Sequence, residues 1–192
     1  DAYYTDYLGY DDHDCFEAVG RDNDRPFTED EIADMTTAKT ALCQRVFGES
    51  VQALPGAVEL IAAATAAGIP VGVCSGALRD EIELAARTVG VLEHFRLLVA
   101  ARDVQRGKPD PEGYLLAGEK RSAAVGRPLA AERGVVIEDS PAGIDAAVAA
   151  GMRVLGVTNS YPADALTAAH RIVDSLADVT VDTLKELAAI IS

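Results

Sequence analysis

One stretch limits the possible folds more than any other: Val135-Val136-Ile137-Glu138-Asp139-Ser140-Pro141-Ala142-Gly143. An apolar strand runs straight into two adjacent carboxylates, and a helix start follows at once. Ser140 suits an N-cap, and Pro141 suits the first helical position, where a missing N–H costs nothing. Glu138 and Asp139 are then expected at the carboxyl end of a buried strand, where open α/β sheets place their ligands. Two carboxylates held that close repel each other unless a cation or a proton intervenes, and oxygen-only ligation favours Mg²⁺. An acidic surface turn is the competing reading, since acidic residues are common in turns.

The same strand-to-helix step recurs along the chain. Leu54-Pro55-Gly56 reads as a hinge, followed by a helix over 57–67 that Gly68 closes and a strand over 70–74 that ends at Ser75-Gly76. A helix over 78–89 closed by Gly90 and a strand over 95–100 come next. Then follow a helix over 112–124, a strand over 134–137, a helix over 141–150 closed by Gly151, and a strand over 153–157. Helices over 163–169 and 181–190 complete the pattern, with a short apolar piece, Ile172-Val173, between them. Strands alternating with helices imply an α/β fold, a Rossmann-like parallel sheet covered by helices on both faces. The first part differs: it is acidic, contains helix signals and offers no convincing strand. Thr28 and Glu31 form a capping box that opens a helix over 28–46. Tyr3, Tyr4, Tyr7 and Tyr10 read as a packed helix face, and Asp11, Asp12 and Asp14 as surface acids.

Charge and cysteine usage narrow the function. The net charge of −14 argues against a nucleic-acid surface and against an anionic membrane. An acidic protein that handles an anionic substrate must neutralise it locally, with a metal ion or a few placed cations. Cys15, Cys43 and Cys74 are odd in number and form no CxxC pair, which fits a reduced, cytoplasmic setting. His13, His94 and His170 lack metalloprotease spacing. The most apolar stretch, 57–74, contains Glu59, Gly68 and Pro70, which break any membrane span.

Two further loops carry polar groups at strand ends. Ser75-Gly76 offers a hydroxyl and an approachable backbone ahead of a helix N-terminus, a ready anion site, although Ser-Gly after a strand is more often a plain turn. Lys108 sits in Arg106-Gly107-Lys108-Pro109-Asp110-Pro111, where two prolines hold it rigidly before a helix. A fixed ammonium suits a phosphate or a carboxylate; a solvated loop lysine is the alternative.

Taken in order, Ser75-Gly76, Gly107-Lys108-Pro109-Asp110-Pro111 and Glu138-Asp139-Ser140-Pro141-Ala142-Gly143 resemble the haloacid dehalogenase-like hydrolases. The likeness is greatest to the branch of phosphoglycolate phosphatase-like and β-phosphoglucomutase-like enzymes, and it covers nearly the whole chain. It implies a small α-helical cap domain over 1–53 and a Rossmann-like core over 54–192. Ser75 and Gly76 would bind the transferring phosphate, Lys108 would neutralise phosphate and nucleophile, and Arg79 would reach a phosphate. Asp139, with Glu138 beside it, would hold Mg²⁺, and the Lys108–Pro109 bond is expected to be cis. The implied reaction is Mg²⁺-dependent hydrolysis of a small phosphorylated metabolite, such as a sugar phosphate, through an aspartyl-phosphate, by a monomer.

One motif of that family has no counterpart: the apolar strand followed by DxDG, which carries the nucleophile and the general acid/base. In the family this strand lies between those ending at Ser75 and at Glu138. Without it two buried strands keep unpaired backbone groups, each costing about 1–3 kcal/mol, against a domain stability of about 5–15 kcal/mol. The expectation is that these 192 residues are an incomplete view of the protein, lacking about one strand. The mutase alternative requires a Ser-Lys pair after the second motif and a basic residue after the cap glycine. This chain has Ala77-Leu78-Arg79 and Asp12 at those places. A non-catalytic phosphate-binding protein on the same fold is the other alternative. Gly118-Glu119-Lys120-Arg121-Ser122 lacks the spacing of an ATP-binding P-loop.

Overall fold

The computed structural model describes Tyr7 and residues 10–189. Two helices come first, α1 (Asp12–Asp22) and α2 (Glu29–Ser50). The expected capping box starts α2: Glu31 N–H donates to Thr28 Oγ1 at 3.3 Å, and Glu31 Oε2 accepts from Thr28 N–H at 2.9 Å. Strands and helices then alternate as α3 (Ala57–Ala66), β1 (Val71–Cys74), α4 (Arg79–Thr88), β2 (Phe95–Val99) and α5 (Glu112–Ala124). They continue as β3 (Val135–Glu138), α6 (Pro141–Ala149), β4 (Arg153–Val157), β5 (Arg171–Val173) and α7 (Val181–Ala189). All strand pairing is parallel, so the α/β, Rossmann-like reading holds.

β4 shows how the sequence builds the core. All five of its residues are buried, and side chains alternate across a strand. Val154 packs with Tyr114 of α5, with Ile144 and Ala147 of α6, and with Leu166. Leu155 and Val157 pack the opposite way, with Leu60 of α3 and Leu187 of α7. Helices therefore cover both faces, and β4 is the layer between them.

One expectation needs correction. The helix expected over 163–169 is only a single 3-10 turn, Ala163–Ala165. Leu166 is the one fully buried residue of that segment and Ala169 packs beside the core only in part, so a longer helix would have little apolar surface to bury. The Ile172-Val173 piece, for its part, belongs to a strand, β5, paired with β4.

The sheet is also divided. Among the described residues, β1 pairs only with β2, and β3 only with β4, so each keeps one edge that no described strand pairs. Ile137 of β3 is 39% exposed, whereas β4 is fully buried. The division falls between the strand that ends before Ser75 and the strand that ends before Asp139. Of the tyrosines grouped in the sequence, Tyr7 is buried and hydrogen-bonds Asp22 at 3.1 Å, Tyr10 is exposed, and Tyr3 and Tyr4 lie outside the described residues.

Leu155 has no exposure to solvent. Leu155→Ala should lower unfolding stability by about 2–5 kcal/mol in a denaturant titration, the range for a large-to-small change in a packed core.

Candidate active site

The loop between β2 and α5 delivers Lys108. Glu112, in the first turn of α5, pulls this loop back by accepting from Gln105 and Arg106 N–H at 2.9 and 3.1 Å. Asp110 Oδ1 accepts from Glu112 N–H at 3.0 Å, and the Lys108–Pro109 peptide is cis. Held this way, Lys108 is largely buried, with its ammonium 5.2 Å over the Tyr114 ring.

This ammonium connects the two halves of the sheet. It donates to the Cys74 carbonyl at 3.3 Å, at the end of β1, and forms an ion pair with Glu138, at the end of β3. Ser75 follows the first contact by one residue, and Asp139 follows the second by one residue. The three separated motifs thus meet at the carboxyl ends of β1 and β3.

Glu138 is the most heavily bonded side chain there. Its Oε1 accepts from Lys108 and from Tyr114 Oη at 2.8 Å. Its Oε2 accepts from Asp139 N–H at 3.1 Å, Ser140 N–H at 3.3 Å and Ser140 Oγ at 3.1 Å. Burial works to raise its pKa, but Lys108, then Tyr114 and Ser140, outweigh that and hold it below the ordinary carboxylate value. Burial, reinforced by the Glu138 charge, pushes the Tyr114 phenol far up, so it stays a donor. The carboxylate lies where a side chain at position 143 would begin, so only glycine fits there. Ser140 also caps α6, accepting from Gly143 N–H at 3.1 Å.

A small crevice opens beside Lys108, lined among others by Asp11, Ser75, Gly76, Arg106 and Tyr114. Ser75 N–H donates to Val99 O at 2.9 Å, and Ser75 Oγ accepts from Ala77 N–H at 3.1 Å. Asp11 forms the facing wall. It caps α1 through Asp14 N–H at 2.9 Å, and its backbone comes so near Gly76 that a Cβ there would lie 3.1 Å from Asp11 Cα. The larger cavity, about 590 Å³, lies elsewhere, between α5 and the loop before β3, and includes none of these groups.

Asp139 faces the end of β4, where its Oδ2 accepts from Ser160 Oγ at 2.5 Å and Asn159 Nδ2 at 3.3 Å. Its oxygen-donor chemistry fits a hard divalent ion. The expected second ligand, Glu138, does not fit as it stands, because five donors already occupy its two oxygens. Among the described residues, the three side chains grouped closely enough to ligate a metal are His13, Asp14 and Glu17, on α1.

Arg79 also departs from expectation. Its guanidinium is tied to Asp103 at 2.6 Å and to the Leu98 carbonyl at 3.4 Å, and it does not line the crevice. That carboxylate, from the turn after β2, captures it at the start of α4. Asp11, expected on the surface, is a crevice wall. Tyr114 was not singled out from the sequence. Its place in the first two turns after Lys108-Pro109-Asp110-Pro111, facing the core at helical spacing, was the available signal.

A parallel α/β fold thus gathers an ammonium, a hydroxyl and carboxylates at the ends of its strands. The family model for haloacid dehalogenase-like hydrolases matches residues 3–151, and the chain belongs to that family. It is 38% identical over 124 residues to a validoxylamine A 7'-phosphate phosphatase from Streptomyces hygroscopicus subsp. limoneus, covering 65% of this chain and 55% of that protein. It is 34% identical over 134 residues to hexitol phosphatase A of Escherichia coli (strain K12), covering 69% and 58%. The chain thus spans about half the length of these curated relatives. Among solved structures, CbbY from Rhodobacter sphaeroides in complex with xylulose-(1,5)bisphosphate matches with a TM-score of 0.80 and 27% identity, covering 95% of this chain and 81% of that one. A β-phosphoglucomutase from Clostridium difficile, at 23% identity and a TM-score of 0.82, shares the fold, covering 98% and 82%.

The Lys108–Glu138 pair makes a signed prediction. Glu138 has a depressed folded pKa, so its stabilisation is present above the ordinary carboxylate value of about 4.3 and is lost as pH falls through the lower folded value. Lys108→Met should cost about 3–5 kcal/mol at neutral pH by leaving a buried charge unpaired. It should also reverse the trend, making the variant more stable at pH 4 than at pH 7. Urea titrations across that range check both.

Proposed function

We propose that this chain forms part of a Mg²⁺-dependent phosphatase acting on small phosphorylated metabolites, with residues 1–53 as a helical cap and 54–192 as the core. The observation that carries the reading is the Lys108 ammonium, which touches Cys74 O and Glu138 at once and so draws Ser75 and Asp139 to one end of the sheet. Phosphoryl transfer needs positioning and charge neutralisation more than covalent chemistry from the protein. The Ser75 hydroxyl and Gly76 N–H would hydrogen-bond the phosphate, and Lys108 would offset its charge. Asp139 would hold Mg²⁺, which neutralises charge on the transferring group. Ser160 and Asn159 keep the Asp139 carboxylate in one orientation.

The nucleophile belongs to the same reading. The open edges of β1 and β3 support a further parallel strand between them, one that would end beside Lys108 and cover Ile137. A DxDG sequence on that strand would supply an Asp to attack phosphorus, forming an aspartyl-phosphate and releasing the alcohol. The second Asp would protonate the leaving oxygen and then deprotonate the water that hydrolyses the intermediate. The names of the two phosphatase relatives support a polyhydroxylated carbon skeleton in the substrate. Hydrolysis is favoured over mutase chemistry because Arg79 is bound to Asp103, position 12 is acidic, and the Lys39 ammonium beside it is engaged by Asp12 and Glu81. Three cysteines outside any disulfide support a cytoplasmic setting, and no helix among the described residues is long and apolar enough to cross a membrane.

The test is phosphate release from a panel of sugar and polyol phosphates by the full-length protein, with Mg²⁺ and with EDTA. Turnover should require the metal, and Asp139→Asn should reduce it at least about 100-fold with the fold retained, the scale of losing a main electrostatic stabiliser. Metal-independent turnover, or near-normal activity of Asp139→Asn, would overturn the reading.

A further inference from the structure

A second buried charge cluster lies outside the crevice, where α1, α2 and α4 meet. Lys39, from the middle of α2, places its ammonium 3.1 Å from both carboxylate oxygens of Glu81 and 3.1 Å from Asp12 Oδ2. Glu81 is 1% exposed, and Asp12 Oδ2 is shielded from solvent, with the Lys39 ammonium as its ion-pair partner. Burial would pull the Lys39 ammonium down, but the two acids outweigh it and hold it above its ordinary value. One cation thus serves two desolvated anions from different elements.

Each of those anions leads to a wall of the crevice. Glu81 Oε2 also accepts from Leu78 N–H at 3.0 Å, which fixes the start of α4 and the Ser75–Gly76 turn just before it. Asp12 begins α1 and adjoins Asp11, the residue that packs on Gly76. Without the ammonium, Asp12 and Glu81 would repel each other and drive the two helix starts apart. We propose that Lys39 is a positioning residue: by holding Glu81 and Asp12 together it sets the distance between Asp11 and the Ser75–Gly76 turn. This rests on the reading of that turn as the phosphate site. Lys39 touches no crevice atom itself and acts through the two acids.

Cys74 provides a readout that does not depend on activity, because it lines the crevice that Asp11 also lines and is half-buried. The experiment uses the full-length protein with Cys15→Ser, Cys43→Ser and any cysteine outside these 192 residues also replaced, so that Cys74 is the single thiol. Lys39→Met should raise the rate of Cys74 modification by dithiodipyridine at least about tenfold, while amide exchange at Val154 and Leu155 stays as slow as before. Lys39→Arg, whose guanidinium can fork to both acids, should stay within about threefold of the parent. A parent-like rate in Lys39→Met overturns the proposal. So does a rise that only tracks loss of Val154 and Leu155 protection, because that is global unfolding. If Lys39→Met does not fold, Lys39→Gln, which removes the charge but keeps both acids, carries the same test, with the same tenfold rise expected and a parent-like rate overturning it.

Turnover then separates this proposal from the reading beneath it. On the parent substrate, Lys39→Met should lose at least about tenfold in kcat, since a displacement near 1 Å at a reacting group costs on the order of 100-fold, and Lys39→Arg should recover most of it. An opened crevice with unchanged kcat and KM would refute the positioning role. Absence of any phosphatase activity in the parent would refute the phosphate-site reading, and the thiol rates would still decide whether Lys39 sets the spacing.

Discussion

A single buried ammonium links the two halves of this molecule's sheet. Lys108 bonds the last carbonyl of β1 and the last side chain of β3, two strands that do not pair with each other. Ion pairs of this kind are poor sources of net stability, because stripping water from both partners offsets most of their attraction. Here the remaining cost is met by Tyr114, Ser140 and two backbone N–H groups, which fill the other sites on Glu138. What the pair supplies is placement: Ser75 and Asp139 each stand one residue beyond an atom that Lys108 holds.

Lys39 repeats this device at the other wall. In both places a lysine from one element binds a nearly buried glutamate from another, and in both the glutamate also accepts a backbone N–H at a helix start. The molecule carries a formal charge of −14, so isolated cations would be drawn to many acids. Burial makes these two selective. Exposed pairs such as Arg21–Asp22 or Lys185–Asp182 are solvent-screened and contribute little.

Much of the fold could be read because local chemistry and tertiary need agree. Ser140 caps α6, Thr28 and Glu31 box α2, and Gly90 and Gly151 close their helices at φ 74° and 75°. The order of the strands' polar ends was legible for the same reason: each motif is short and continuous. Contacts between distant residues were not legible. Nothing near Arg79 in the chain announces Asp103, and nothing near Lys39 announces Glu81. Glu138 was read as a metal ligand because adjacent acids suggest a cation. The cation it meets is Lys108, which lies 30 residues upstream. The segment after Pro162 differs for the opposite reason, since its alanines favour helix while only Leu166 is fully buried in the core.

Among the described residues, β1 and β3 present neighbouring edges that no strand pairs. An unpaired strand flank with Val and Ile side chains is a template for intermolecular hydrogen bonding, and neither flank carries the lysine or proline that guards natural sheet rims. A compatible extended peptide is the natural complement of such flanks.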